Sequence, residues 1–223
     1  MIKALVAVRS GSERVTNKNI RSFAGKSLLE YKIIQLKRLK MLDGIIVNSN
    51  DDTMLNLAKK MGCEAVKREQ YFALPTVSMS EVYKNIAKNS NSDVIVYCNA
   101  TNPLISDQTI EVAIRFYLEN YPEVESVNTA NLIKEFLFLN GEPLNYNPKK
   151  QPRSQDLPDI YALNFAVNVI SKKDMINYSN IISPKNHLIL TNELESVDID
   201  TEYDFEVAEF LFNKKLKGGL ICC

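Results

Sequence analysis

The chain has 223 residues, and its 27 Lys and Arg balance its 27 Asp and Glu, so no net charge draws it to nucleic acid or to an anionic membrane. It contains no run of about 18 apolar residues, which argues against a bilayer-spanning helix, and the apolar stretch after Met1 is too short for a secretory signal. Four cysteines, at 63, 98, 222 and 223, have neither disulfide density nor zinc spacing, so a reduced, cytoplasmic compartment is expected.

The chain opens with Ile2 to Val8, apolar except for Lys3, which reads as a buried strand. A polar loop from Arg9 to Asn19 and a short irregular segment follow. Leu28 to Leu39 then has helical periodicity, with Ser27 and Glu30 spaced as a capping box. Gly44 to Asn50 is a second strand, Asp52 to Lys60 an amphipathic helix stopped at Gly62, and Ala65-Val66 a third, very short strand. A loop over 69–77 leads to a helix over 80–89 and a strand over 93–98, which ends in the polar turn Asn99-Ala100-Thr101-Asn102-Pro103. Another helix spans 107–119, with Ser106 or Asp107 as its cap. This alternation of strand and helix predicts an α/β protein with a parallel, doubly wound sheet.

Ser126 to Thr129 opens a further strand, and residues 141–159, with Pro143, Pro148, Pro152 and Pro158, read as an excursion from the sheet. Ala162 to Ile170 returns to strand character. His187, the only histidine, falls where a loop enters a strand; a structural or surface role is expected of it. Near the end, Asp198 and Asp200 are two residues apart. They share a face if the segment is extended, and two hard carboxylates on one face suit Mg²⁺.

The loop after the first strand carries the chemistry. Open α/β sheets bind ligands at the carboxyl ends of their strands. Ser10, Gly11 and Ser12 allow close backbone approach to phosphate oxygens, and Arg9, Arg14 and Lys18 bring positive charge. Neither a GxxxxGK[ST] nor a GxGxxG pattern is present, which sets aside the two common nucleotide loops.

In its order of motifs the chain resembles the CMP-sialic acid synthetase (acylneuraminate cytidylyltransferase) family. Arg9, Ser12, Lys18 and Asn19 fall in register on A-R-x-x-S-K-x-x-x-x-K-N. Arg153 to Tyr161 follows R-x-Q-D-L-P-x-x-Y, Asn164 and Ala166 agree with R-x-N-G-A-I-Y-I, and Ser196 to Asp204 follows S-x-D-I-D-T-x-x-D. The resemblance implies a single three-layer α/β/α nucleotidyltransferase domain over 1–223, Rossmann-like and mostly parallel, with an inserted dimerisation arm at about 134–165. It implies transfer of CMP from CTP to an acidic, sialic-acid-like nonulosonate with release of pyrophosphate, for surface glycan synthesis, by a homodimer that uses Mg²⁺.

Roles follow from the same resemblance. Arg9 and Lys18 contact the triphosphate and act with Asp200 in catalysis; Ser12, Arg14, Asn19, Arg68 and Asn99 bind the nucleotide, Arg68 near the cytosine. Asn99, Lys134 and Asn164 face the acceptor, and Asp198 and Asp200 hold the metal. Backbone groups between Phe72 and Ser80 are candidates for reading the base. The chain departs from the family pattern at Glu13, Asn50, Ala162 and Phe165, where lysine, aspartate, arginine and glycine are usual. An arginine is the usual clamp for a carboxylate, so Ala162 leaves two alternatives open: a different acceptor, such as a phosphonate or another sugar acid, or a non-catalytic nucleotide-binding homologue.

Overall fold

In the computed structural model residues 1–11 and 14–218 are described; the expectations placed on Ser12, Glu13, Cys222 and Cys223 lie outside the described residues. Seven strands make the main sheet: β1 (Ile2–Ala7), β2 (Gly44–Ser49), β3 (Glu64–Lys67), β4 (Val94–Cys98), β5 (Ser126–Ile133), β6 (Ile160–Ser171) and β7 (Asn186–Leu190). Their order is β7-β5-β6-β4-β1-β2-β3. Neighbours run parallel except at β6, which is antiparallel to both β4 and β5.

The near-continuous apolar runs of β1, β2 and β4 follow from burial on both faces. On one face Val6, Val47 and Val96 share a core with α1 (Leu28–Lys37), α2 (Asp52–Lys60), α4 (Asp107–Asn120) and α6 (Glu202–Lys217). On the other, Leu5, Ile46 and Ile95 pack against α3 (Met79–Lys88) and α5 (Lys172–Tyr178). The fold is a three-layer α/β/α sandwich around a mostly parallel sheet, as expected. Capping fixes the helix starts. Ser27 Oγ accepts from the Glu30 N–H while the Glu30 carboxylate accepts from the Ser27 N–H, completing the box at α1. Asp51, Ser78, Ser106 and Ser171 each accept a first-turn N–H of the following helix.

Because β1, β2, β3, β4, β5 and β7 point the same way, the loops that follow them open at one edge of the sheet. β6, running the other way, enters at that edge. The excursion leaves the sheet after Ile133 and carries a small hairpin that pairs Phe138 with Pro143 and Leu139 with Glu142. It rejoins at Ile160, so residues 160–165, expected within it, belong to β6, where Ile160 to Leu163 pair with β5. His187 lies inside β7, its ring stacked on Phe116 of α4 at 3.9 Å, and so is structural.

The β5–β6 pairing shifts register between Leu163 and Asn168, and Phe165 there has φ +55°. Such a conformation costs a non-glycine residue about 1–2 kcal/mol. Asn164 holds it: its Oδ1 accepts from Thr129 Oγ1 at 2.7 Å and the Ala166 N–H at 3.2 Å, and its Nδ2 donates to Thr191 Oγ1 at 2.7 Å. Among the described residues no helix is long and apolar enough to cross a membrane.

Candidate active site

At the strand-end edge lies a cavity of about 520 Å³, within the range of small-ligand sites. Its cationic wall comes from the loop after β1. Arg9 reaches across to donate to the Ala73 carbonyl at 3.0 Å, tying that loop to the segment after β3. The Asn50 amide donates to Ser10 Oγ at 2.9 Å and to Gln70 Oε1 at 3.0 Å, and its Oδ1 accepts from the Ser10 N–H. The amide thus does the positioning that the usual aspartate could do only as an acceptor. Lys18, mostly buried, donates to the Ile199 carbonyl at 2.5 Å and lies 3.6 Å from Asp200, which also pairs with exposed Arg14 at 3.0 Å.

Asn19 is buried behind this loop, where its carbonyl accepts the Leu29 N–H and its amide reaches toward the Arg9 carbonyl. Arg68 is buried too, donating to the carbonyl ends of β1 and β2 at Val8 and Asn48 while its Nε has no partner. Burial lowers its guanidinium below the usual arginine value, and the charge of Arg9 adds to that. The opposite wall is apolar: Phe72, Ala73, Leu74, Pro75 and Val77, the stretch expected to read a base, line the cavity with Tyr97. Asn99 completes the lining at the end of β4.

Asp198 and Asp200 do not lie in a strand; the segment 197–200 is irregular. It is held by the Ile199 N–H donating to the Thr101 carbonyl at 3.0 Å and by Asn102 Nδ2 donating to the Val197 carbonyl at 3.2 Å. The two carboxylates still feel each other. Burial pushes the Asp198 carboxyl above the ordinary range; a Thr101 hydrogen bond opposes this and the charge of Asp200 reinforces it. Asp198 Oδ1 is buried with no hydrogen-bond partner, and a bound cation is one way to satisfy such an oxygen. Among the described residues no group of three or more His, Cys, Asp or Glu gathers at a metal position. Mg²⁺ asks for less, one or two carboxylates with the remaining positions filled by phosphate and water.

The structure thus gathers Arg9, Arg14, Lys18, Asn19, Arg68, Asn99 and Asp200 around one cavity, with Asp198 beside Asp200. It does not bring Lys134 or Asn164 into that lining. Lys134 donates to the Leu157 carbonyl at 2.6 Å and pairs with Asp159 at 2.5 Å, which folds it back onto its own excursion. The Asn164 amide is committed to the bulge of β6. Sequence reasoning passed over Thr101 and Tyr97. Thr101 sits in a turn that the sequence marks as functional, but its carbonyl's partner is about 100 residues away, a distance no local pattern spans.

Comparison with known proteins meets this geometry. The family described as cytidylyltransferase matches residues 3–217. The flagellin modification protein B of Campylobacter coli is 24% identical over 227 residues, covering 96% of each chain. The pseudaminic acid cytidylyltransferase of Campylobacter jejuni is 25% identical, covering 93% of this chain and 94% of that protein. A CMP:2-keto-3-deoxy-manno-octonic acid synthetase solved with CTP superposes with a TM-score of 0.72 at 12% identity, over 96% of this chain and 99% of that one, a likeness of fold.

Proposed function

The chain belongs to the cytidylyltransferase family, and from that premise we propose that it transfers CMP from CTP to an acidic, sialic-acid-like nonulosonate with release of pyrophosphate. One observation carries the reading: a single cavity joins the Arg9–Lys18 cationic wall, an apolar wall able to flank a base, and Asp200. The pseudaminic acid cytidylyltransferase among its relatives supports the acceptor class.

Arg9 and Lys18 hold the triphosphate by charge-assisted hydrogen bonds, and Arg14 adds charge from the rim. Arg68 and Asn19 fix the shape of the loop from behind. Asn99, at the end of β4, can donate and accept at once, which suits a residue between two substrates. Asp198 and Asp200 would hold Mg²⁺, which would offset charge building on the α-phosphate and the leaving pyrophosphate. With CTP bound, Lys18 and Arg14 would turn from Asp200 to phosphate oxygens, and Asp200 would then be free to help hold the cation. The exposed Phe138 and Leu139 of the excursion support its role as a dimerisation arm, and a reduced cytoplasmic setting accords with buried, unpaired Cys63 and Cys98.

The test is pyrophosphate release from CTP and Mg²⁺ with a panel of acceptors: sialic, legionaminic and pseudaminic acids, an octulosonate and an aminoalkylphosphonate. Release with a nonulosonate upholds the proposal. Release with the phosphonate alone keeps the nucleotide half and overturns the acceptor.

A further inference from the structure

α1 presents its apolar stripe to the core through Leu28, Leu29, Ile33 and Leu36, and Lys32 lies on that stripe, four residues from both Leu28 and Leu36. Its side chain is only 1% exposed. The ammonium donates to Gln35 Oε1 at 2.8 Å and to the Asn102 carbonyl at 3.0 Å, and among the described residues it forms no ion pair with a carboxylate. Burying a charge without an opposite charge is costly, and an apolar side chain of similar length would avoid the cost.

The second of these hydrogen bonds ends on the turn after β4. That turn carries Asn99, Ala100 and Thr101 into the cavity wall. It also grips the aspartate segment on either side of Asp198, through Thr101 with Ile199 and Asn102 with Val197. Gln35 braces the segment just beyond that turn from α1, donating to the Ile105 carbonyl at 2.7 Å and to Asp107 Oδ1 at the start of α4 at 3.0 Å.

We propose that Lys32 is a positioning residue for nucleotidyl transfer: its buried ammonium pins the turn 99–104 and, through it, holds Asp198 and Asp200 beside the cavity. The inference rests on the transfer proposed above, though not on the identity of the acceptor. Burial pulls the Lys32 ammonium down to about 8, so the pin weakens within reach of ordinary buffers. The titratable groups facing it are Cys98 on β4, Asp107 at the start of α4 and Arg38 at the end of α1. Asp107 favours the charged form and Arg38 opposes it. The Cys98 thiol, pushed up to about 11 by burial, stays neutral through that range.

The test is Lys32→Met in the full chain, read by hydrogen exchange at the Ile199 amide, CTP affinity, melting temperature and pyrophosphate release. The expected result is Ile199 exchange faster by about tenfold and turnover slower by about tenfold, with CTP affinity within about threefold and no loss of melting temperature. Unchanged exchange at Ile199 overturns the proposal. So does a melting temperature that falls together with turnover, which would mark Lys32 as merely structural. The wild-type protein supplies an independent arm if the variant does not fold. Its Ile199 exchange, corrected for the intrinsic pH dependence, should quicken above about pH 8, the value set by burial of Lys32; a flat profile overturns the proposal. If no acceptor in the panel turns over, the exchange and affinity measurements still decide.

Discussion

The strand-end edge has two halves built on different terms. On the β1–β4 side the chain closes a site upon itself: Arg9 on the Ala73 carbonyl, Lys18 on the Ile199 carbonyl and Asp200, Arg68 on the ends of two strands. Arg9 and Arg68 are oriented before any ligand arrives, so little of their ordering entropy remains to be lost on binding. On the β5–β6 side the polar groups serve the chain's own shape. Lys134 answers Asp159, Asn164 clamps a bulge, and Ala162 stands where an arginine is usual. On the proposed reading, the polyphosphate half of the site lies within one chain, whereas among the described residues Lys134 and Asn164 on the β5–β6 side are spent on the scaffold.

That contrast can be broken in several ways, the largest effect first. Asp200→Asn should slow pyrophosphate release by about 100-fold or more while CTP affinity stays within about threefold. Turnover near wild type would remove Asp200 from the chemistry. Asn164→Ala should cost about 2 kcal/mol in urea unfolding, because it strands the hydroxyls and N–H that the amide now satisfies. It should leave CTP binding intact. A rise in acceptor KM without a loss of stability would move Asn164 out of the scaffold and into the acceptor site.

Arg9→Ala should weaken CTP binding by about tenfold by calorimetry, as expected for one charge-assisted contact. Equal affinity would show the cationic wall to be a solvated rim. The next effect is a pH dependence. Burial pulls the Lys32 ammonium in the fold from its ordinary 10.5 down to about 8. Between those values the unfolded chain binds more protons than the native one, so this group makes stability rise with pH. The melting-temperature advantage expected of Lys32→Met at pH 7 should shrink toward pH 9.5. An advantage independent of pH would show that Lys32 is not the buried titrating group. The Cys98 thiol works in the opposite sense between 9 and about 11, but is present in both proteins. Smallest of all, Lys134→Ala should change stability by less than about 1 kcal/mol, since its ion pair with Asp159 is partly exposed. A marked rise in acceptor KM would show that Lys134 turns to the acceptor when the enzyme is assembled.

Much of this was legible in the chain itself. Strands buried on both faces announce themselves as apolar runs, and helix starts are written by Ser, Asp and Thr, whose partners lie within one turn. The cationic loop that lines the cavity could be read because its charged and small residues are neighbours in sequence. Lys32 could have been noticed as a charge on an apolar stripe, but nothing nearby names Asn102, 70 residues on, as its partner. The same holds for the extended D-x-D, which proved irregular because its backbone bonds to Thr101 and Asn102 and not to a strand.

The sequence by itself determined the alternation of strand and helix and a mainly parallel sheet, since these depend on periodicity, while the family was reached through the resemblance of its motifs; the antiparallel β6 was decided by the fold. Only the tertiary structure decided which polar side chains line the cavity and which are spent on the scaffold. Lys134 and Asn164 look no different from Arg9 and Asn99 along the chain. A side chain's free hydrogen-bonding capacity is what remains after its distant neighbours have been satisfied, and those neighbours are set by packing.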